Sequence, residues 1–279
     1  MEPRDTVDTF DGKTAVITGG GGLLGRGMAL AFAREGMHVV VADLDEARAR
    51  ATADGVEALG ARAIAVQTDV TDRASVAALA DRAFGEFGAV HLLCNNAGTA
   101  VLKRFEDLVY DDWDRVLAVQ LGGVLNGVQS FLPRLIEQGG DRHIVNTSSM
   151  SGVGRADLRV FNAPYVTAKF AVVGLTEVMA PALAEHGIGV SVLCPGYTVP
   201  DPAGVTTFPM PSAAWYEHNL LDADAVAREV LHGIREERLY IFPHRAGLRE
   251  VEGRHERLRE GFAQAARTSP LEDDARGEG

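Results

Sequence analysis

The sequence predicts an α/β fold with a doubly wound sheet of seven parallel strands and helices on both faces. Two observations predict it: short β-rich runs alternate with longer helical patterns, and these runs are apolar on successive residues. Such alternation is typical of parallel strands joined by right-handed crossovers, and continuous apolar runs are typical of strands covered on both faces. The predicted strands occupy residues 14–18, 37–43, 62–69, 90–95, 142–148, 188–195 and 238–243.

Length and composition indicate one large domain. Of the 279 residues, 46% are hydrophobic and 24% are charged, which is ordinary for an α/β domain of this size. We expect a single domain over residues 1–265, with a substrate-covering loop at 197–222, followed by a disordered acidic tail at 266–279.

The formal net charge of -12 argues against nucleic-acid and anionic-membrane partners, because both require a basic protein surface. No segment resembles a signal peptide or reaches the apolar length of a membrane span. The two cysteines, Cys94 and Cys194, lie inside apolar runs, which indicates buried thiols. We therefore expect a cytoplasmic protein that binds a small-molecule substrate. The eight histidines show no paired ligand spacing, so no metal site is predicted.

Residues 18–25 read TGGGGLLG and lie between the first predicted strand and a helical pattern. A strand, a glycine-rich turn and a helix start form an anion site, because unpaired backbone N–H groups and the helix dipole point at the turn. We expect Gly19 to Gly22 to adopt backbone angles that a side chain forbids, and Leu23 to turn toward the protein. A flexible connecting loop is the alternative interpretation, since a glycine cluster alone is weak evidence.

Polar residues end the next three predicted strands. Asp43 follows the glycine turn by about twenty residues, where a carboxylate accepts hydrogen bonds from a ribose diol and repels a 2′-phosphate. This favours NAD over NADP. Asp69 and Val70 close the third strand, and Asn96-Ala97-Gly98 follows the fourth, at the edge where open α/β sheets bind ligands. Helix capping and simple turn formation are the alternatives.

Tyr165 and Lys169 form the pattern YVTAK in a predicted helix after the fifth strand. A four-residue step places both side chains on one helix face, where an ammonium favours the phenolate form of the tyrosine. A phenol activated in this way exchanges a proton with an alcohol oxygen. The pattern alone occurs often by chance.

In this order, TGGGGLLG, Asp43, Asp69, NNAG, Ser149, YVTAK and CPG (194–196) resemble the short-chain dehydrogenases/reductases, from about residue 10 to 245. The resemblance implies a Rossmann-like domain that binds a nicotinamide cofactor, here NAD. It implies Tyr165 as acid/base, Lys169 as the residue that holds the ribose and tunes Tyr165, and Ser149 as the group that polarises the substrate oxygen. It also implies a homotetramer or homodimer formed through the helices after the fourth and fifth strands.

The resemblance further assigns a set of residues to the cofactor. Besides Tyr165 and Lys169, they are Gly19, Gly22, Leu23, Leu24, Gly25, Asp43, Asp69, Val70, Asn96, Ala97, Gly98, Pro195, Gly196 and Thr198.

The chain departs from the family pattern at several places. Leu23 stands where the family has glycine, and Gln120 stands where it has a catalytic asparagine. Ser149 lies sixteen residues before Tyr165, about three more than usual, so Ser151 is the alternative if the register differs. Thr198 and Pro200 replace residues that usually face the carboxamide.

The first expectation is an NAD-dependent oxidoreductase that interconverts a secondary alcohol and a ketone on a hydrophobic or cyclic molecule, aryl or terpenoid-like. The alternative, suggested by the departures, is a catalytically weak NAD-binding protein that acts through association.

Overall fold

The computed structural model describes residues 9–158, 161–196, 198, 221–243 and 247–268. Its strands are β1 (Thr14–Thr18), β2 (His38–Asp43), β3 (Ala63–Gln67), β4 (Leu92–Asn95), β5 (Arg142–Thr147), β6 (Ile188–Leu193) and β7 (Tyr240–Ile241). They form one parallel sheet in the order β3-β2-β1-β4-β5-β6-β7. The predicted doubly wound sheet of seven parallel strands is confirmed.

The helices flank this sheet. They are α1 (Leu23–Arg34), α2 (Glu46–Glu57), α3 (Arg73–Phe87), α4 (Tyr110–Leu117), α5 (Gly123–Gln138), α6 (Ala163–Ala184), α7 (Ala223–Arg235) and α8 (Leu248–Thr268). A π-helical turn, Ala118–Gly122, joins α4 to α5. Short 3₁₀ turns lie at Phe105–Asp107, Met150–Gly152 and Ala156–Leu158.

Two apolar cores lie on opposite faces of the sheet. On one face Ile17 of β1 belongs to the cluster that includes Phe32 of α1 and Val230 of α7. On the other face its neighbour Val16 belongs to the cluster that includes Phe131 of α5 and Val172 of α6. Burial on both faces explains why the strands are continuous apolar runs.

Two helical stretches, Tyr110–Gln138 and Ala163–Ala184, are long and apolar enough to cross a membrane by length and composition alone. One side of each packs on the sheet, through residues such as Phe131 and Val172. Their apolar character therefore has an explanation within the fold. Exposed apolar residues remain on both stretches, including Leu125, Ile136 and Val178.

The structure differs from the predicted elements mainly near the C-terminus. Strand β7 pairs with β6 at only two positions, so it is shorter than the predicted 238–243. Helices α7 and α8 were not predicted, and α8 runs to Thr268 into the segment expected to be a disordered tail. Residues 269–279, and most of the predicted loop at 197–222, lie outside the described residues.

Candidate active site

The glycine turn after β1 packs closely on neighbouring backbone. Gly19 has a φ of 64°, and a Cβ there would lie 2.8 Å from the Cα of Ala97. Gly20 has an ordinary φ, but a Cβ on it would lie 2.6 Å from Cγ1 of Val41. The expectation of side-chain-forbidding angles is therefore right for Gly19 and wrong for Gly20, Gly21 and Gly22. Crowding, rather than backbone angle, excludes side chains at Gly20 and Gly21.

Helix α1 starts at Leu23, directly after the glycine turn. No described side chain caps its N-terminus at Gly22, and its first turn holds no acidic residue. Helices α2, α3 and α7, by contrast, are capped by the carboxylates of Asp45, Asp72 and Asp222. The first N–H groups of a helix lack intrahelical partners and favour an anion.

Leu23, Leu24 and Gly25 form that first turn. A Cβ on Gly25 would lie 2.7 Å from the Cα of Gly20, and closer still to the Gly19 carbonyl oxygen, so only glycine fits. Both leucines are partly buried, and Leu24 packs against the core. Leu23 therefore occupies the helix start, outside the crowded part of the turn.

Asp43 ends β2 beside this turn. Its Oδ2 accepts the N–H of Gly21 at 2.9 Å, and its Oδ1 accepts the N–H of Asp45 at 3.0 Å. The Gly21 carbonyl accepts a hydrogen bond from Nε of Arg48 at 3.2 Å. The carboxylate thus faces the turn, and its contact with a ribose diol stays a prediction. Arg48 is a neighbour that sequence reasoning missed.

Asp69 and Val70 lie just beyond β3, which ends at Gln67. The Asp69 carboxylate accepts the N–H of Thr71 at 2.9 Å and its hydroxyl at 2.7 Å. The Val70 carbonyl accepts from Nδ2 of Asn126 at 2.8 Å. Both residues therefore take part in a turn, which was the alternative interpretation of this segment.

A chain of hydrogen bonds connects β1, β4, β5 and α6 along the carboxyl edge. Thr18 Oγ1 accepts the N–H groups of Asn96 and Ala97, and Nδ2 of Asn96 donates back to the Thr18 carbonyl at 3.0 Å. Thr147 Oγ1 donates to Oδ1 of Asn96 at 3.5 Å. Lys169 Nζ donates to the Thr147 carbonyl at 2.7 Å. Thr18 and Thr147 are structural members of the site that sequence reasoning missed.

Lys169 lies buried under Tyr165. Its Nζ is 5.4 Å from the centroid of the tyrosine ring, so the four-residue spacing does place the two side chains together. Only 3% of Lys169 is exposed, and burial lowers its pKa from 10.5 to about 7, with a small opposing effect from Cys194. A negative group beside this amine would favour its charged form.

Ser149 follows β5 on the same edge. Its Oγ accepts the N–H of Ser151 at 3.0 Å, and the next residue, Met150, donates its N–H to the Pro195 carbonyl at 3.0 Å. This contact brings the segment after β5 against Pro195 and Gly196 after β6. Thr198 forms an isolated parallel bridge with Leu221, and Pro200 lies outside the described residues.

Gln120 lies in the π-helical turn between α4 and α5 and is buried. Its Nε2 donates to the Thr99 carbonyl at 2.5 Å, whereas its Oε1 is buried and no described protein group pairs with it. A Cβ on Gly98 would lie 3.1 Å from Nε2, so glycine leaves room for the longer side chain. Gln120 therefore borders the same edge with one unused acceptor.

A family model described as "short chain dehydrogenase" matches residues 13–206. The chain belongs to the short-chain dehydrogenase family. This membership was predicted from the order of the motifs, and the family's motif positions all lie on one edge of the sheet.

Three known proteins show how similar this chain is to other members of the family. "Probable oxidoreductase EphD" of Mycobacterium tuberculosis is 41% identical over 72% of the chain, which spans only 34% of that protein. "C alpha-dehydrogenase" of Sphingobium sp. is 33% identical, covering 84% of this chain and 81% of that protein. A Burkholderia phymatum short-chain dehydrogenase/reductase solved in complex with NAD is 37% identical with a TM-score of 0.80, covering 94% and 99%.

Proposed function

We propose that the chain is an NAD-dependent oxidoreductase that interconverts a secondary alcohol and a ketone. The observation that carries the proposal is the stacking of the buried Lys169 amine under the Tyr165 ring, beside Thr147 and on the edge that holds the glycine turn. Burying an amine is unfavourable because the amine loses its hydration. A polar or anionic ligand that binds the Lys169 amine would replace these lost interactions, which explains a lysine at this buried position.

The residues fit the cofactor. The uncapped start of α1 offers backbone N–H groups to a pyrophosphate, and Asp43 offers its carboxylate to the ribose diol. The NAD bound by the Burkholderia relative supports this assignment. When bound, the nicotinamide supplies the hydride acceptor for alcohol oxidation.

The chain's own residues move the proton. Ser149 Oγ accepts the N–H of Ser151, so its own O–H is left to donate to the substrate oxygen. The Tyr165 phenolate takes the hydroxyl proton during oxidation, and the phenol returns a proton to the oxygen during ketone reduction. Lys169 holds a ribose hydroxyl and, when protonated, stabilises the phenolate.

We propose a hydrophobic or cyclic substrate, aryl or terpenoid-like. Met150, next to Ser149, belongs to an apolar cluster with Val173 and packs with the partly buried Val153. Apolar side chains thus lie directly beside Ser149, and apolar surroundings favour a substrate with an apolar body around the reacting carbinol.

A second candidate is a weakly catalytic NAD-binding protein that acts through association. Gln120, at the position of the family's asparagine, favours it, because its Nε2 is engaged by the Thr99 carbonyl and its Oε1 is buried without a partner among the described protein groups.

The test compares wild type with Tyr165→Phe and Lys169→Ala. NADH formation is followed with 1-phenylethanol, cyclohexanol and borneol, and NAD affinity is measured by calorimetry. Tyr165→Phe is expected to lose at least about 100-fold in rate while binding NAD normally, since only the exchangeable proton is removed. Lys169→Ala is expected to lower both the rate of turnover and the affinity for NAD. Normal NAD binding without turnover of any alcohol or ketone by wild type would favour the second candidate.

We also propose that the protein is a cytoplasmic homodimer or homotetramer that associates through α4–α5 and α6. Exposed apolar residues on these helices, including Leu125 and Val178, support it. Light scattering of the purified protein measures the mass, and a monomer would contradict the proposal.

A further inference from the structure

Gly21 is held between two side chains of opposite charge. Its N–H donates to Oδ2 of Asp43 at 2.9 Å, and its carbonyl accepts from Nε of Arg48 at 3.2 Å. A Cβ on Gly21 would lie 2.6 Å from Cβ of Arg48 and 3.1 Å from Oδ2 of Asp43. The two side chains therefore meet at one residue of the proposed pyrophosphate turn.

The backbone of Arg48 is fixed in this place. It lies in the first turn of α2, and its N–H donates to the capping carboxylate of Asp45 at 3.1 Å. The N–H of Asp45 in turn donates to Oδ1 of Asp43 at 3.0 Å. These two hydrogen bonds tie the start of α2, and with it the backbone of Arg48, to the Asp43 carboxylate.

We propose that Arg48 is a second determinant of cofactor choice, namely a contact for a ribose 2′-phosphate that the Asp43 carboxylate overrides. The inference rests on the proposed function, because it requires the adenosine ribose to bind beside Asp43. Gly22 in the turn and Leu44 directly after Asp43 are not basic, whereas the fold supplies a basic side chain from the first turn of α2.

The two charges act in opposite directions on a phosphorylated ribose. Asp43 accepts the hydroxyls of an unmodified ribose and repels a phosphate, and a guanidinium attracts a phosphate through charge-assisted hydrogen bonds. In the proposed binding mode the ribose lies beside the Asp43 carboxylate, which therefore dominates while it is charged. When Asp43 is neutralised, Arg48 is therefore the one charged side chain of this pair.

The test measures binding of ADP and 2′,5′-ADP, which differ only in the position of one phosphate, together with NAD and NADP. The proteins are wild type, Asp43→Asn, Arg48→Ala and the double variant, with Arg50→Ala as a control. Arg50 is an exposed arginine two residues further along α2, on another face of the helix.

Asp43→Asn is expected to raise the affinity for 2′,5′-ADP and NADP. In the double variant, the added Arg48→Ala is expected to lower these two affinities again by about tenfold. The gain should shrink at high salt, because the contact is exposed. With Arg48→Lys in the Asp43→Asn background, part of the gain in affinity should remain, since an ammonium gives a single-point contact. Arg50→Ala should leave the ratio of the two affinities unchanged.

The outcomes separate the two proposals. If wild type binds NAD but Arg48→Ala changes the NADP-to-NAD ratio by less than about twofold in both backgrounds, the inference is overturned and the proposed function stands. If wild type binds neither NAD nor ADP, the proposed function fails, and the inference fails with it.

Discussion

At the glycine turn, backbone packs against backbone, whereas the segment after Ser149 is held by side chains that reach across from α8. A Cβ on Gly25 would overlap the turn itself. In the other region, Asp157 accepts hydrogen bonds from Arg155 and from Arg257 of α8, and all three side chains are more than a third exposed. The first region tolerates almost no change of residue, and the second is held by contacts that water and salt can replace.

Gly25→Ala is expected to have the largest effect. The added Cβ would lie 2.7 Å from the Cα of Gly20, and backbone cannot move aside as a flexible side chain can. We expect NAD affinity to fall by at least about 100-fold, with a loss of stability of about 3 kcal/mol. Calorimetry and chemical unfolding measure the two effects.

Two control variants define the limits of this effect. Gly85→Ala in α3, where nothing lies within 4 Å of the added Cβ, should keep or slightly raise stability. Leu23→Gly should change NAD affinity by less than about tenfold, because Leu23 lies outside the crowded turn. An unchanged NAD affinity in Gly25→Ala would mean that the turn can relax, and the contrast between the regions would disappear.

Lys169→Met is expected to change how stability depends on pH. Burial lowers the pKa of Lys169 to about 7 from 10.5, so between these values the unfolded chain binds a proton that the folded chain does not. Stability of the wild type should therefore rise with pH across this window, by an amount of the order of a few kcal/mol, and the variant should lack this rise. Unfolding curves at pH 7 and pH 10 measure it, and parallel changes in both proteins would show that the amine stays charged when folded.

Arg257→Ala is expected to have the smallest effect. Its partner Asp157 has a pKa lowered to about 2 from 3.8, mainly by the hydrogen bond from Arg155, so Arg257 is the lesser contributor. We expect the midpoint of thermal unfolding to fall by at most about 2 °C, and by less at high salt. The stabilisation should be present above pH 3.8 and lost as the pH falls through 2. A larger, salt-independent loss would show that α8 is held as firmly as the turn.

The same contrast explains how much could be predicted from the sequence. Gly19 and Gly25 could be recognised from the sequence because close backbone packing allows few residue types there, which leaves a recognisable pattern. Their role in cofactor binding, and that of Asp43, stays a prediction. The approach of Lys169 to Tyr165 followed from helical spacing alone. These features depend on local geometry and can therefore be inferred from neighbouring residues.

The rest depends on contacts between distant segments. Arg48 was missed because its approach to Gly21 depends on how the β2–α2 connection folds over the turn. Helix α8 was missed because most of its described residues are exposed, and because a run of seven residues without a large apolar side chain other than Leu258 at its end follows Val251. Thr18 and Thr147 were missed because threonine is common in strands and only the pairing of β4 with its neighbours gives them their partners.

The uncapped start of α1 leaves a local weakness in the folded chain. Where α2 and α3 begin with a carboxylate of their own, α1 begins with N–H groups that no side chain of the described residues caps. If the cofactor phosphates bind here as proposed, they displace none of the described side chains, so we expect little binding energy to go into rearrangement. On this proposal the free N–H groups of α1 are completed by the ligand, and resistance of the fold to unfolding should increase with the concentration of NAD.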